Sequence, residues 1–132
     1  MLLDTNAYSA LALGVPSVIE AVKDSSVINL PLPVIAELRY GFAKGSKPEQ
    51  NEQVLQRFLA QEQVSIAIPT IRTTEYYASI QLFCTQRGRA LSYNDIWIAA
   101  LAREYNDTLI TFDHDFEVLQ EIFGDKLNLL DN

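Results

Sequence analysis

Met1-Leu2-Leu3-Asp4-Thr5-Asn6 reads as a short apolar strand running into a helix start, with an acid at the junction. Thr5 or Asn6 is expected to cap that helix, which leaves Asp4 at the carboxyl end of the strand. The same arrangement returns near the other end, where the apolar run 108–112 leads into Asp113. Between these two stretches, strand and helix patterns alternate. Strands are expected at 26–30, 64–68 and 127–130, and helices at 7–13, 17–23, 34–44, 47–62, 71–86, 93–105 and 116–123. Pro33 suits a first helical turn, whereas Gly45, Gly88 and Gly124 suit helix ends. Strands separated by helices throughout define an α/β fold with a largely parallel sheet covered on both faces. Sites in such folds form beyond the carboxyl ends of the strands, and both Asp4 and Asp113 lie there.

The chain has 132 residues, 48% of them hydrophobic and 20% charged, which is enough for one domain with its own core, taken as residues 1–132. No apolar run approaches the length of a membrane span, and an acid stands where a signal peptide carries basic residues, so a cytoplasmic protein is expected. Cys84, the only cysteine, falls in an apolar helical pattern with Ile80 and Phe83 and reads as core. With one histidine, His114, and one cysteine, the chain cannot furnish the usual ligands of zinc, so any metal must be held by oxygen. The net charge of -7 weighs against nucleic acid as a partner. Cations bound to a cluster of the acids would offset it.

Two more acids join the strand-end pair. Glu37 lies roughly 60° around its helix from Val34, at the border of a buried stripe formed by Val34, Ile35, Leu38 and Phe42. Asp95 opens a helix that is apolar nearly all round, Ile96-Trp97-Ile98-Ala99-Ala100-Leu101-Ala102, capped by Ser92 or Asn94. Each acid also has a plain structural use. Asp4 and Asp113 could cap helices, Glu37 could pair on the surface with its neighbours Arg39 or Tyr40, and Asp95 could complement a helix dipole. Four carboxylates at one edge, however, would repel one another and require a cation, and hard divalent ions such as Mg²⁺ or Mn²⁺ prefer oxygen ligands.

Taken in order, Leu2-Leu3-Asp4-Thr5-Asn6, Ala36-Glu37-Leu38 with Gly41, Asn94-Asp95-Ile96-Trp97-Ile98-Ala99-Ala100 and Thr111-Phe112-Asp113-His114-Asp115-Phe116 resemble the PIN-domain nucleases, more narrowly the VapC-type ribonuclease toxins of toxin–antitoxin pairs. The resemblance implies a three-layer αβα sandwich with a central, mainly parallel five-stranded sheet. It implies a Mg²⁺- or Mn²⁺-dependent endoribonuclease in which Asp4, Glu37, Asp95 and Asp113 are catalytic and Asp4, Asp95 and Asp113 hold metal. Thr5, Asn6, Asn94, Thr111 and Asp115 would support these acids or touch substrate. Asp113 is preferred to Asp115 as the fourth acid because it is nearer the strand end, and Asp115 then caps the helix starting near Phe116. The resemblance further implies an RNA substrate, a cognate antitoxin and a homodimer.

Arg39, Lys44, Lys47, Arg87 and Arg89 flank the acids in sequence; Arg39, Lys44, Arg87 and Arg89 are the expected RNA contacts. Tyr40 and Tyr93 could stack on bases or pack at the core border. A haloacid-dehalogenase-like phosphatase would need a second acid two residues after Asp4, where Asn6 stands. A non-catalytic RNA- or partner-binding module of the same fold is the other alternative.

Overall fold

The computed structural model describes residues 1–131. Five strands, β1 (Leu2–Leu3), β2 (Ile28–Pro31), β3 (Val64–Ala67), β4 (Leu109–Thr111) and β5 (Leu127–Leu129), form one sheet in the order β3-β2-β1-β4-β5, with every neighbouring pair parallel. The connections carry α1 (Thr5–Ala12), α2 (Pro16–Val22), α3 (Leu32–Lys44), α4 (Pro48–Leu59), α5 (Ile71–Gln86), α6 (Tyr93–Glu104), a 3₁₀ helix (His114–Leu119) and α7 (Gln120–Phe123). Parallel strands need crossovers, and right-handed crossovers fix the layers. The steps β1 to β2 and β2 to β3 run one way and put α1 to α4 on one face. The steps β3 to β4 and β4 to β5 run back and put α5, α6 and α7 on the other. This is the expected αβα sandwich.

Burial on both faces explains why the strands are short apolar runs. Leu2, Leu3, Leu30, Leu109 and Ile110 are fully enclosed, and Ile98, Ala99, Ala100 and Leu101 of α6 pack into the same core. Small residues on α6 let it lie close to its neighbours. Cys84 is buried in that core, as its helical context suggests. Gly88 and Gly124 follow α5 and α7 with φ of +64° and +58°, the left-handed conformation that ends a helix. Among the described residues no helix is long and apolar enough to cross a membrane.

Two local expectations need correction. Asp4, not Thr5 or Asn6, caps α1: its carboxylate accepts from the Ala7 backbone N–H, and the helix starts at Thr5. Asp4 is still extended and still bonded to β4 through its own N–H, so it is the last residue able to turn the chain. The helix expected at 116–123 is a 3₁₀ helix followed by a single α-helical turn, and its cap is Asp113, not Asp115. Asp113 accepts from the Asp115 N–H two residues on, a tight turn characteristic of Asp, and this starts the helix before Phe116.

Candidate active site

β1 lies between β2 and β4, so the chain leaves it in one direction and returns on its other side. A crevice opens at such a reversal, beyond the carboxyl ends of the two strands. Leu3 is in register with Ile110, and the Asp4 N–H continues the ladder to the Ile110 carbonyl at 3.3 Å. Asp4 and Thr111 are therefore neighbours across the strand ends. The Thr111 hydroxyl donates to Asp4 Oδ2, while Asp4 Oδ1 takes the Ala7 N–H at 2.9 Å. Thr111 Oγ1 also accepts the Asp113 N–H at 2.9 Å, which ties the start of the following turn to the same point.

Asp4 is 3% exposed. Burial pushes its carboxyl up to about 6; the hydrogen bonds from Thr111 and Ala7 oppose the shift, and the charges of Asp95 and Asp113 add to it. Asp95 enters from the other face of the sheet in the first turn of α6. There the Ser92 hydroxyl caps the helix by accepting the Asp95 N–H at 3.1 Å. Burial raises the Asp95 carboxyl to about 6 as well; Ser92 opposes this, and Asp113, Glu37 and Asp115 reinforce it. Asp113 acts on both Asp4 and Asp95, whereas Asp115 acts on Asp95 alone, as the weakest contributor to its shift.

Glu37 is exposed on α3, and its charge is felt at Asp95. Its Oε1 accepts from the Thr5 hydroxyl at 3.0 Å and from the Asn94 side-chain amide. The alternative pairing with Arg39 does not form, because Arg39 holds Glu52 of α4 through two hydrogen bonds of 3.1 and 2.9 Å. Asn6 is exposed and makes no side-chain hydrogen bond among the described residues.

Two of the expected basic residues, Arg39 and Arg87, are paired with carboxylates of the protein. Arg87 grips Glu121 and lies 3.6 Å from the Phe83 ring centre, and Lys44 stands over Tyr40 at 4.7 Å. Arg89 is exposed without an ion pair among the described residues. Tyr40 and Tyr93, at 68% and 72% exposure, are on the surface and not at a core border. Sequence reasoning gave Tyr8 no role. It is buried on α1 with its hydroxyl unpartnered among the described residues, and it lines a cleft between α1, α2 and α4. Its only sequence signal is a polar atom on the apolar face of α1.

Among the described residues no three carboxylates stand close enough to close around an ion. The donor set nevertheless fits Mg²⁺ or Mn²⁺. It is all oxygen, two of its carboxyls are raised to about 6 by burial and like charge, and such ions keep several waters and need only one or two carboxylates.

Residues 1–122 match the PIN domain, and the chain belongs to that family. Within it, the chain is 33% identical to the ribonuclease VapC2 of Rickettsia felis over 93 residues, 70% of this chain and 68% of that one. Among solved structures it resembles the Rickettsia felis VapBC2 complex bound to promoter DNA, at 29% identity and a TM-score of 0.78, covering 98% of this chain and 96% of that one. It also resembles VapBC-1 of nontypeable Haemophilus influenzae, at 25% identity, a TM-score of 0.79 and the same coverage. Membership of the PIN family sets aside the haloacid-dehalogenase-like alternative.

Proposed function

We propose that this chain is a Mg²⁺- or Mn²⁺-dependent endoribonuclease, the toxin of a toxin–antitoxin pair, acting in the cytoplasm. The observation that carries the reading is Asp4. It is a buried carboxyl at the sheet's switch point, raised to about 6, with Asp95 and Asp113 adding to its cost. A structural cap needs neither the burial nor the like-charged neighbours. The ion, when bound, would supply the positive charge that lowers the pKa of water and offsets charge at the phosphorus and the leaving 3′-oxygen. Asp4, Asp95 and Asp113 hold that charge at the crevice. Glu37, at its rim, orients the attacking water. Because water is the nucleophile, the 2′-hydroxyl is not consumed, and products carry 5′-phosphate and 3′-hydroxyl ends.

The similar VapBC structures are two-protein complexes, and the same kind of partner is assigned to this chain. A cleft of about 420 Å³ between α1, α2 and α4 supports this. It is lined by the apolar Leu11, Ile19, Val22, Val54 and Phe58 together with Lys23, Arg57, Gln61 and Gln63, and so offers a seat for an amphipathic partner helix. None of the four acids lines it. A homodimer is also expected.

A non-catalytic module of the same fold is favoured by one observation, the lack of a ready three-carboxylate cage among the described residues. Digestion of defined RNAs with Mg²⁺, with Mn²⁺ and with chelator, followed by mapping of the ends, decides between the readings. Metal-dependent cuts with 5′-phosphates are expected. The absence of cleavage, together with no Mn²⁺ binding by calorimetry, would leave the binding module.

A further inference from the structure

We infer that Thr5 and Asn94 are positioning residues that act through Glu37, fixing one of its oxygens so that the other faces the crevice. The inference rests on the nuclease reading of the site.

Glu37 is long, exposed and carried on a different helix from the other acids. Left alone, it would sample many rotamers, at an ordering cost that a single weak contact does not recover. Two donors hold it, the Thr5 hydroxyl from the first turn of α1 and the Asn94 amide from the first turn of α6. Both land on Oε1. This arrangement leaves Oε2 with its lone pairs uncommitted and sets the carboxylate plane. Charge-assisted hydrogen bonds of this kind are among the stronger ones in proteins.

Thr5 and Asn94 are free to do this because other residues cap their helices. Residues of these types near a helix start usually satisfy the exposed backbone N–H groups. Here Asp4 caps α1 and Ser92 caps α6, each with its own side chain. Thr5 and Asn94 therefore stand one and two positions inside their helices, with no capping duty, and both aim at the same atom on α3. Asn94 also lines a shallow apolar recess with Leu32, Pro33, Ala36, Pro69 and Trp97, which limits water on that side of its amide. The charge of Glu37 reaches Asp95, so the held carboxylate, although exposed, is coupled to the acidic cluster.

Asn94→Ala should lower kcat for a defined RNA by about ten- to hundredfold, the usual loss when a group supporting a metal-site residue is removed, with KM nearly unchanged. In a Glu37→Gln background the same change should cost nothing further, since the residue it positions has lost its charge. Thr5→Val should behave alike with a smaller loss. Thermal midpoints should move little, because Thr5 and Asn94 are only half-buried and the carboxylate they hold is exposed. In the ¹⁵N spectrum of the metal-free protein, the Asn94 side-chain amide should shift on Glu37→Gln. Additive losses in the Asn94→Ala and Glu37→Gln pair, or an Asn94 amide signal indifferent to Glu37→Gln, would overturn the inference. If the wild-type chain does not cleave RNA under any metal, the nuclease reading falls, and the amide signal alone decides whether Asn94 holds Glu37.

Discussion

Replacing Asp4 with Asn should stabilise the metal-free protein at neutral pH, although Asp4 lies in the core and makes two hydrogen bonds. The carboxyl, ordinarily at 3.8, stands at about 6 in the folded chain. A folded value above the unfolded one means that folding favours the protonated form. The group's stability contribution is therefore fully present below about pH 3.8 and is lost as pH rises through about 6. At pH 7.5 the ionised carboxylate costs about 3 kcal/mol, and at pH 5 about 1.5 kcal/mol. Asparagine escapes this cost and can still accept from Ala7, but Thr111, which is fully buried, must find a new acceptor for its hydroxyl. That loss is about 1 kcal/mol. The net gain is then about 2 kcal/mol at pH 7.5 and about 0.5 kcal/mol at pH 5, or roughly 8 °C and 2 °C in melting temperature for a chain of this size. Thermal melts in chelator at the two pH values measure it. A variant that melts below wild type at pH 7.5, or whose advantage does not shrink on acidification, would show that Asp4 is not a destabilised carboxylate.

Three other perturbations read different parts of the site. Asp95→Asn should abolish RNA cleavage while leaving the circular dichroism spectrum unchanged, because shape is kept and only the charge is removed; cleavage at the wild-type rate would sink the carboxylate mechanism. Mg²⁺ or Mn²⁺ should raise the melting temperature of the wild type at pH 7.5 and fail to raise that of Asp4→Asn, and equal shifts in both would place the ion elsewhere. Ser92→Ala removes the cap of α6 and should cost about 1 kcal/mol in urea unfolding; a cost near zero would mean that Asn94 takes over as cap.

Much of this arrangement was legible because local rules and the fold agree. Short apolar runs ending in Asp4 and Asp113 mark strand ends, and the sheet order places those two strands side by side. The near-continuous apolar surface of α6 announces its burial, and the Ser92 cap follows from ordinary preferences. The identity of the α1 cap was not legible, since Asp4, Thr5 and Asn6 are all good capping residues. The ladder bond from the Asp4 N–H decides it, and that depends on β4, more than a hundred residues away. Nor could the sequence place Glu37, whose two donors lie 32 and 57 residues along the chain. The protein partners of two of the basic residues were hidden for the same reason. Arg39 and Arg87 sit near the acids in sequence, but the fold supplies each with a nearer carboxylate, Glu52 and Glu121.

Capping and ion binding, set against each other as rival explanations of Asp4 and Asp113, turn out to be compatible uses of one side chain. A cap consumes a single lone pair. Asp4 gives Oδ1 to Ala7 and Oδ2 to Thr111, and Asp113 gives Oδ1 to Asp115. Each carboxylate oxygen has two acceptor positions, so these bonds orient the groups without exhausting them. The same bonds also explain how such an unfavourable cluster survives without a cation. Every hydrogen bond donated to Asp4 stabilises its ionised form, and burial and like charge oppose it, leaving the carboxyl at about 6, where a modest amount of positive charge tips it fully to the carboxylate. A helix cap at the surface would have no such balance to tip. What distinguishes Asp4 is the placement of its cap at the one point where the sheet reverses, with acids from α6 and from the end of β4 close enough to be felt.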